Sequence, residues 1–182
     1  MPIADAYAKR TLVLGCGNVL YGDDGFGPAV ADALAEGFPI PGDAAVLNLG
    51  LATRGFVFDV LLADRQPERI VVVDAMERAG RTPGEIFEVP LDELTREKVD
   101  DFSFHQGPTS NLLRELRDFR GVDVVVVSCQ PTPIPAEMER GLSPPVERAA
   151  GEAARLIWER WLREDVGGPV ARTRAPGGGE GG

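Results

Sequence analysis

Histidine occurs once in the 182 residues and cysteine twice. A single imidazole excludes any metal centre or catalytic relay that needs two or three histidines of this chain. Two thiols in a chain of this length do not make a disulfide scaffold and point to a reducing compartment. Positive charge is scarce as well: 19 Lys and Arg stand against 29 Asp and Glu, a net charge of −10. Without a basic stretch, the chain is not a nucleic-acid binder acting through phosphates. No apolar run approaches the roughly 18 residues that span a bilayer. The opening Met1-Pro2-Ile3-Ala4-Asp5-Ala6 lacks the basic-then-apolar pattern of a signal peptide, so a cytoplasmic location is expected. What remains is 43% apolar and 26% charged, the composition of one soluble globular domain with a sizeable core.

Apolar runs alternate with amphipathic stretches. Thr11–Gly15, Ala45–Leu49, Ile70–Val73 and Val122–Val127 read as strands, the third uniformly apolar and the fourth interrupted only by Asp123, as befits strands buried on both faces. Glu85–Val89 alternates in period two and reads as a strand near an edge. Phe26, Val30 and Leu34 mark one helix, with Pro28 in its first turn. Phe56, Val57, Val60 and Leu61 mark a second. Leu112, Leu113, Leu116 and Phe119 mark a third, opened by Pro108. The last is capped by Ser143, starts at Pro144 and buries Val146, Ala149, Ala153, Ile157 and Trp161. Strands spaced by helices imply a single α/β domain, a three-layer arrangement of a mostly parallel sheet with helices on both faces. The expected boundaries are an N-terminal extension over 1–10, the domain over 11–166 and a tail over 167–182. Seven of the sixteen tail residues are glycine, and such a segment is expected to be disordered.

Ligands of open α/β sheets sit beyond the carboxyl ends of the strands. Three polar features fall at such ends: Gly15-Cys16-Gly17-Asn18 with Asp23-Asp24-Gly25-Phe26-Gly27, then Asp74, then His105 in the loop before Pro108. A dinucleotide fingerprint fails here. Its third glycine is replaced by Leu20, the acid expected about 20 residues on is missing, and Asp23 and Asp24 would repel a pyrophosphate. A serine triad fails because Ser103, Ser110 and Ser128 lack a nucleophile-elbow context. Asp24, Asp74 and His105 together suit Zn, Ni or Fe rather than Ca or Mg. The structural alternatives are a loop hydrogen-bonder at Asp24, a helix cap at Asp74 and a half-buried imidazole at His105. Asp23 can replace Asp24 as the functional acid. Cys16 and Cys129, each after a strand, read as small buried thiols, the alternative being that they approach one another. Arg54 reads as a solvated surface arginine.

Leu14-Gly15-Cys16-Gly17-Asn18-Val19-Leu20, followed by Asp23–Gly27 and Val30, resembles the opening motif of the hydrogenase maturation proteases. The likeness continues through Thr53-Arg54-Gly55, Val72-Val73-Asp74-Ala75, Pro83-Gly84, His105-Gln106 and Gly141-Leu142-Ser143-Pro144, covering about residues 11–160. Within the family, Ser103–Leu112 looks most like the branch serving the deazaflavin-coenzyme-reducing hydrogenases of methanogens. The resemblance implies a twisted mixed sheet flanked by helices and an endopeptidase that trims the carboxyl terminus of the large subunit of a nickel-iron hydrogenase. It places the metal-contacting residues at Asp24, Asp74 and His105. Many members carry glutamate at the first of these, and the segment Asn48–Thr53 departs from the usual glycine-threonine turn.

The resemblance further implies that the nickel arrives in the immature large subunit and is not a tightly held cofactor. The trio would complete its coordination, leaving positions for the substrate's thiolates and a water. The metal can then polarise the scissile carbonyl or activate that water, with Asp24 assisting proton transfer. The alternatives are a non-catalytic assembly factor for the nickel subunit, and an unrelated α/β hydrolase with its own metal.

Overall fold

The runs of branched apolar residues form the centre of a five-stranded sheet. In the computed structural model, which describes residues 3–94 and 107–163, the strands are β1 (Thr11–Cys16), β2 (Ala44–Gly50), β3 (Arg69–Ala75), β4 (Ile86–Glu88) and β5 (Asp123–Cys129). Their order across the sheet is β2-β1-β3-β5-β4. β1, β2, β3 and β5 are mutually parallel, and β4 runs antiparallel to β5. The continuous apolar runs of β1, β3 and β5 therefore lie inside the sheet. The alternating Ile86-Phe87-Glu88 lies at its edge, as one solvated face requires.

The helices are α1 (Ile3–Ala6), α2 (Phe26–Gly37), α3 (Thr53–Leu62), α4 (Gly107–Arg120) and α5 (Pro144–Ile157), the last continuing into a π-helical turn over Trp158–Leu162. Because successive strand residues point to opposite faces, each strand feeds two cores. Leu12, Leu14, Ile70, Val72 and Val126 meet Phe56, Val60, Leu113 and Leu116 from α3 and α4. Val13, Val71, Val73 and Val127 meet Phe26, Val30, Leu34 and Ile157 from α2 and α5. This is the expected three-layer α/β domain.

Several expectations need adjustment. Phe119 does not join the buried stripe of α4 and is largely exposed. It lies seven residues beyond Leu112, which only borders the core, so the last turn carries it off the sheet. The segment before β1 joins the domain in part: Ala6 is buried, and the Tyr7 ring stacks on Phe56 with centroids 5.2 Å apart. The two cysteines do not approach one another, since Cys16 faces one core and Cys129 the other. The glycine-rich tail over 167–182 and the loop holding Ser103 and His105 lie outside the described residues.

The glycines of the opening motif answer to packing. A Cβ at Gly27 would stand 2.2 Å from the carbonyl oxygens of both Cys16 and Val73, and one at Gly15 would stand 2.4 Å from the carbonyl oxygen of Gly27. The first turn of α2 thus rests directly on the backbones of β1 and β3, a distance no side chain permits. Gly27→Ala is expected to destabilise the fold by about 3 kcal/mol or more. Gly151→Ala is the control: the site is in α5 with nothing within 4 Å of the added methyl, and a gain of about 0.4–1 kcal/mol is expected. Urea denaturation of the two variants measures both, and a Gly27→Ala protein as stable as the parent would contradict the seating.

Candidate active site

The chain leaves β1 through Gly17, whose φ of 122° suits glycine. Asn18 then folds the loop back on itself: its side-chain Oδ1 accepts the Leu20 N–H at 3.1 Å, and its carbonyl accepts the Tyr21 N–H at 3.1 Å. A 3-10 turn over Gly22–Gly25 follows, and all four of its residues are buried. This turn presents Asp23 and Asp24 side by side, and their carboxylates have different partners.

The Asp23 carboxylate accepts four hydrogen bonds. Thr132 donates its N–H at 2.8 Å and its hydroxyl at 2.6 Å. Ser143 donates its N–H at 2.6 Å and its hydroxyl at 2.9 Å. Burial alone would raise the pKa of Asp23, but these bonds outweigh it and hold the group below its ordinary value. Its acceptor sites are filled by structure. Ser143 does stand at the N-cap of α5, yet its side chain makes no capping bond there. A buried carboxylate is the stronger acceptor and takes the hydroxyl instead.

Asp24 is held differently. Its Oδ2 accepts the Asn18 N–H at 2.7 Å, and its carbonyl accepts the same N–H at 3.1 Å. Asp74, the penultimate residue of β3, is wholly buried, and its Oδ1 accepts the N–H of Ala75 at 3.0 Å. No helix follows β3 directly, so Asp74 is not a helix cap. Gly17 lies between the two acids. A Cβ there would fall 1.9 Å from the Asp24 carbonyl oxygen and 3.4 Å from Asp74 Oδ1. The missing side chain leaves room where the opening turn meets the end of β3.

Of the three proposed metal contacts, Asp24 and Asp74 thus stand at neighbouring strand ends around Gly17. His105 lies outside the described residues. Among the described residues no group of three or more His, Cys, Asp and Glu side chains is placed to hold a metal ion. Cys16 is beside Asp74; burial first, and then the Asp74 charge, push its thiol pKa well above the ordinary value. Burial likewise pushes Cys129 up to about 12. Both remain protonated at neutral pH and act as packing residues. Arg54 is exposed on α3. Sequence reading missed Thr132, and it assigned Ser143 only a capping role. The sequence signal for Thr132 is its position between Pro131 and Pro133, which stiffen the segment that carries it.

These features define a single-domain α/β protein with two buried carboxylates, Asp24 and Asp74, at the carboxyl-end side of its parallel strands. The chain belongs to the hydrogenase maturation protease family, whose profile matches residues 28–160. The match includes Asp74 and position 105 and begins four residues after Asp24. The δ subunit of coenzyme F420 hydrogenase from Methanothermobacter thermautotrophicus is 36% identical over 155 residues, spanning 83% of this chain and 94% of that one. Among solved structures, the fold is similar to the hydrogenase maturating endopeptidase HybD of Escherichia coli, with a TM-score of 0.66 and 26% identity over 86% of this chain and 93% of the other. It is also similar to the [NiFe] hydrogenase maturation protease HycI of Thermococcus kodakarensis, with a TM-score of 0.64 and 28% identity over 87% and 97% of the two chains. The chain is therefore a peptidase of hydrogenase maturation.

Asp23→Asn puts an amide among four donors, and is expected to destabilise the fold by about 3 kcal/mol at neutral pH, the scale of lost bonds to a buried charge. The sign with pH follows from the lowered pKa. The Asp23 contribution is complete above its unfolded value near 3.8 and is lost as pH falls through the lower folded value. The gap in stability between parent and variant should therefore be full near neutral pH and narrow steadily as pH falls below about 3.8. A gap that did not narrow in acid would contradict the assignment.

Proposed function

We propose that this protease removes the carboxyl-terminal extension of the nickel-loaded large subunit of a nickel-iron hydrogenase. In this reading the substrate's nickel is read by Asp24, Asp74 and His105. One observation carries it: two buried carboxylates, each fixed by a backbone N–H, stand at neighbouring strand ends around a glycine whose side chain would fill the space. Carboxylate oxygens with one imidazole suit a borderline divalent ion and leave positions for the substrate's own thiolates. The filled acceptor sites of Asp23 favour Asp24 as the working acid.

The metal, when present in the bound substrate, supplies Lewis acidity at the scissile carbonyl. Asp74, rigid in β3, fixes the position of the metal-bearing segment. Asp24, on the turn, takes a proton from the water whose oxygen adds to the carbonyl carbon. The C–N bond then breaks, and that proton passes to the departing amine. Among the described residues no helix is long and apolar enough to cross a membrane, and we place the reaction in the cytoplasm. The 36% identity to an F420 hydrogenase subunit supports a deazaflavin-coenzyme-reducing hydrogenase as the one served.

Asp74→Asn and His105→Ala are the variants that test the trio. Each is expected to slow processing of a nickel-loaded precursor at least about a hundredfold while circular dichroism stays unchanged. A folded variant of either kind that cuts at the parent rate would remove that residue from the site. Precursor that binds the parent protein but is never shortened would leave only an assembly role.

A further inference from the structure

Connections after parallel strands normally keep large apolar side chains inward. Here Leu51 is 61% exposed after β2, and three more stand outward on the turn that carries Asp24 and on the connection fastened to it: Val19 at 54% exposure, Ile134 at 42% and Met138 at 73%. Ile134 and Met138 belong to the connection between β5 and α5, which behaves as a strap fastened at several points. Pro131, Pro133 and Pro135 occupy every second position of its first part, fixing φ at each. Asp23 holds Thr132 near one end and Ser143 at the other. Between them Glu139 donates its N–H to the Leu20 carbonyl at 2.9 Å and accepts the Gly22 N–H at 2.6 Å. Pro135 lies against Gly22, with its Cδ 3.3 Å from where a Cβ of that glycine would stand. Val19, in turn, covers Gly25 next to Leu142. The three exposed side chains are therefore carried on backbone that the fold has already ordered.

An ordered apolar surface forfeits little entropy when a partner covers it. An exposed methionine on such a surface adapts to an apolar partner. Glu137 and Glu139 flank Met138 and are exposed, with Arg140 next to them, so the net charge there is negative and basic side chains suit the edge of whatever sits there. The three apolar groups are exposed rather than enclosed, which fits a broad face better than a threaded peptide.

We infer that Val19, Ile134 and Met138 form a docking rim for an apolar, basic-edged patch on the folded body of the immature large subunit, beside the root of its extension. The inference rests on the proposed function, because Asp24 and Asp74 are where that reading presents the scissile bond. The rim then sets substrate affinity and leaves the chemistry to the acids.

The test is the double variant Ile134→Asp with Met138→Asp, and its control is Leu62→Asp with Phe119→Asp, which alters the exposed apolar groups at the other end of α3 and α4. Rates are followed by intact mass on nickel-loaded precursor, and binding is measured separately with Asp74→Asn as the common background. The rim variant is expected to raise KM and weaken precursor binding at least about tenfold, with kcat unchanged, as for loss of an apolar contact that acts in binding alone. The control is expected to change neither. Unchanged KM and binding in the rim variant would overturn the inference, as would a fall in kcat alone. An equal loss of affinity for a peptide of the extension alone would overturn the assignment to the folded body. A parent protein that binds precursor through the rim but never cuts it would sink the proposed function and leave the rim standing.

Discussion

The four hydrogen bonds received by Asp23 are what the rest of the site depends on. They join the turn after β1 to both ends of the strap between β5 and α5, more than a hundred residues further along the chain. A buried carboxylate is costly unless its lone pairs are occupied, and here two residues supply both a backbone and a side-chain donor each. The result is a charged anchor inside the turn. Asp24, one residue on, inherits its position from that anchor, and its carboxylate accepts the Asn18 N–H.

A second constraint acts on the same face of the sheet as α5. α2 rests on β1 and β3 with Gly27 against their carbonyl oxygens, so the turn carrying both acids cannot drift along the sheet. The glycines that resemble a nucleotide-binding turn thus have a different purpose. They bring a helix onto two strands and, at Gly17, keep open the space that Asp74 reaches. The same residue type in a related spacing serves phosphate binding elsewhere because both uses need a backbone without a Cβ. The acids beside the glycines tell the two apart.

Much of this was legible in the sequence. Uniform runs such as Ile70–Val73 mark interior strands, and the alternation of Ile86-Phe87-Glu88 marks an edge, because periodicity reports burial on one face or two. Asp24 and Asp74 were legible for the same reason, since strand ends can be counted. Phe119 was not, because apolar type and spacing cannot reveal where the sheet stops beneath a helix. Nor could the sequence say which of Asp23 and Asp24 is tied into the structure by distant partners. Thr132 and Ser143, more than a hundred residues away, hold Asp23, and no local pattern encodes such a contact. The cysteines show the same limit: both follow strands, and only the parity of each position in the pleat sends them to opposite cores.

The account stands or falls on metal-dependent cutting. Intact mass of a hydrogenase large-subunit precursor should be followed after incubation with this protein, with nickel-loaded and nickel-free precursor side by side. Loss of a short carboxyl-terminal peptide from the loaded sample alone is the predicted result. Equal trimming of both samples would contradict the reading of nickel by the acids, and no trimming of either would contradict the protease itself.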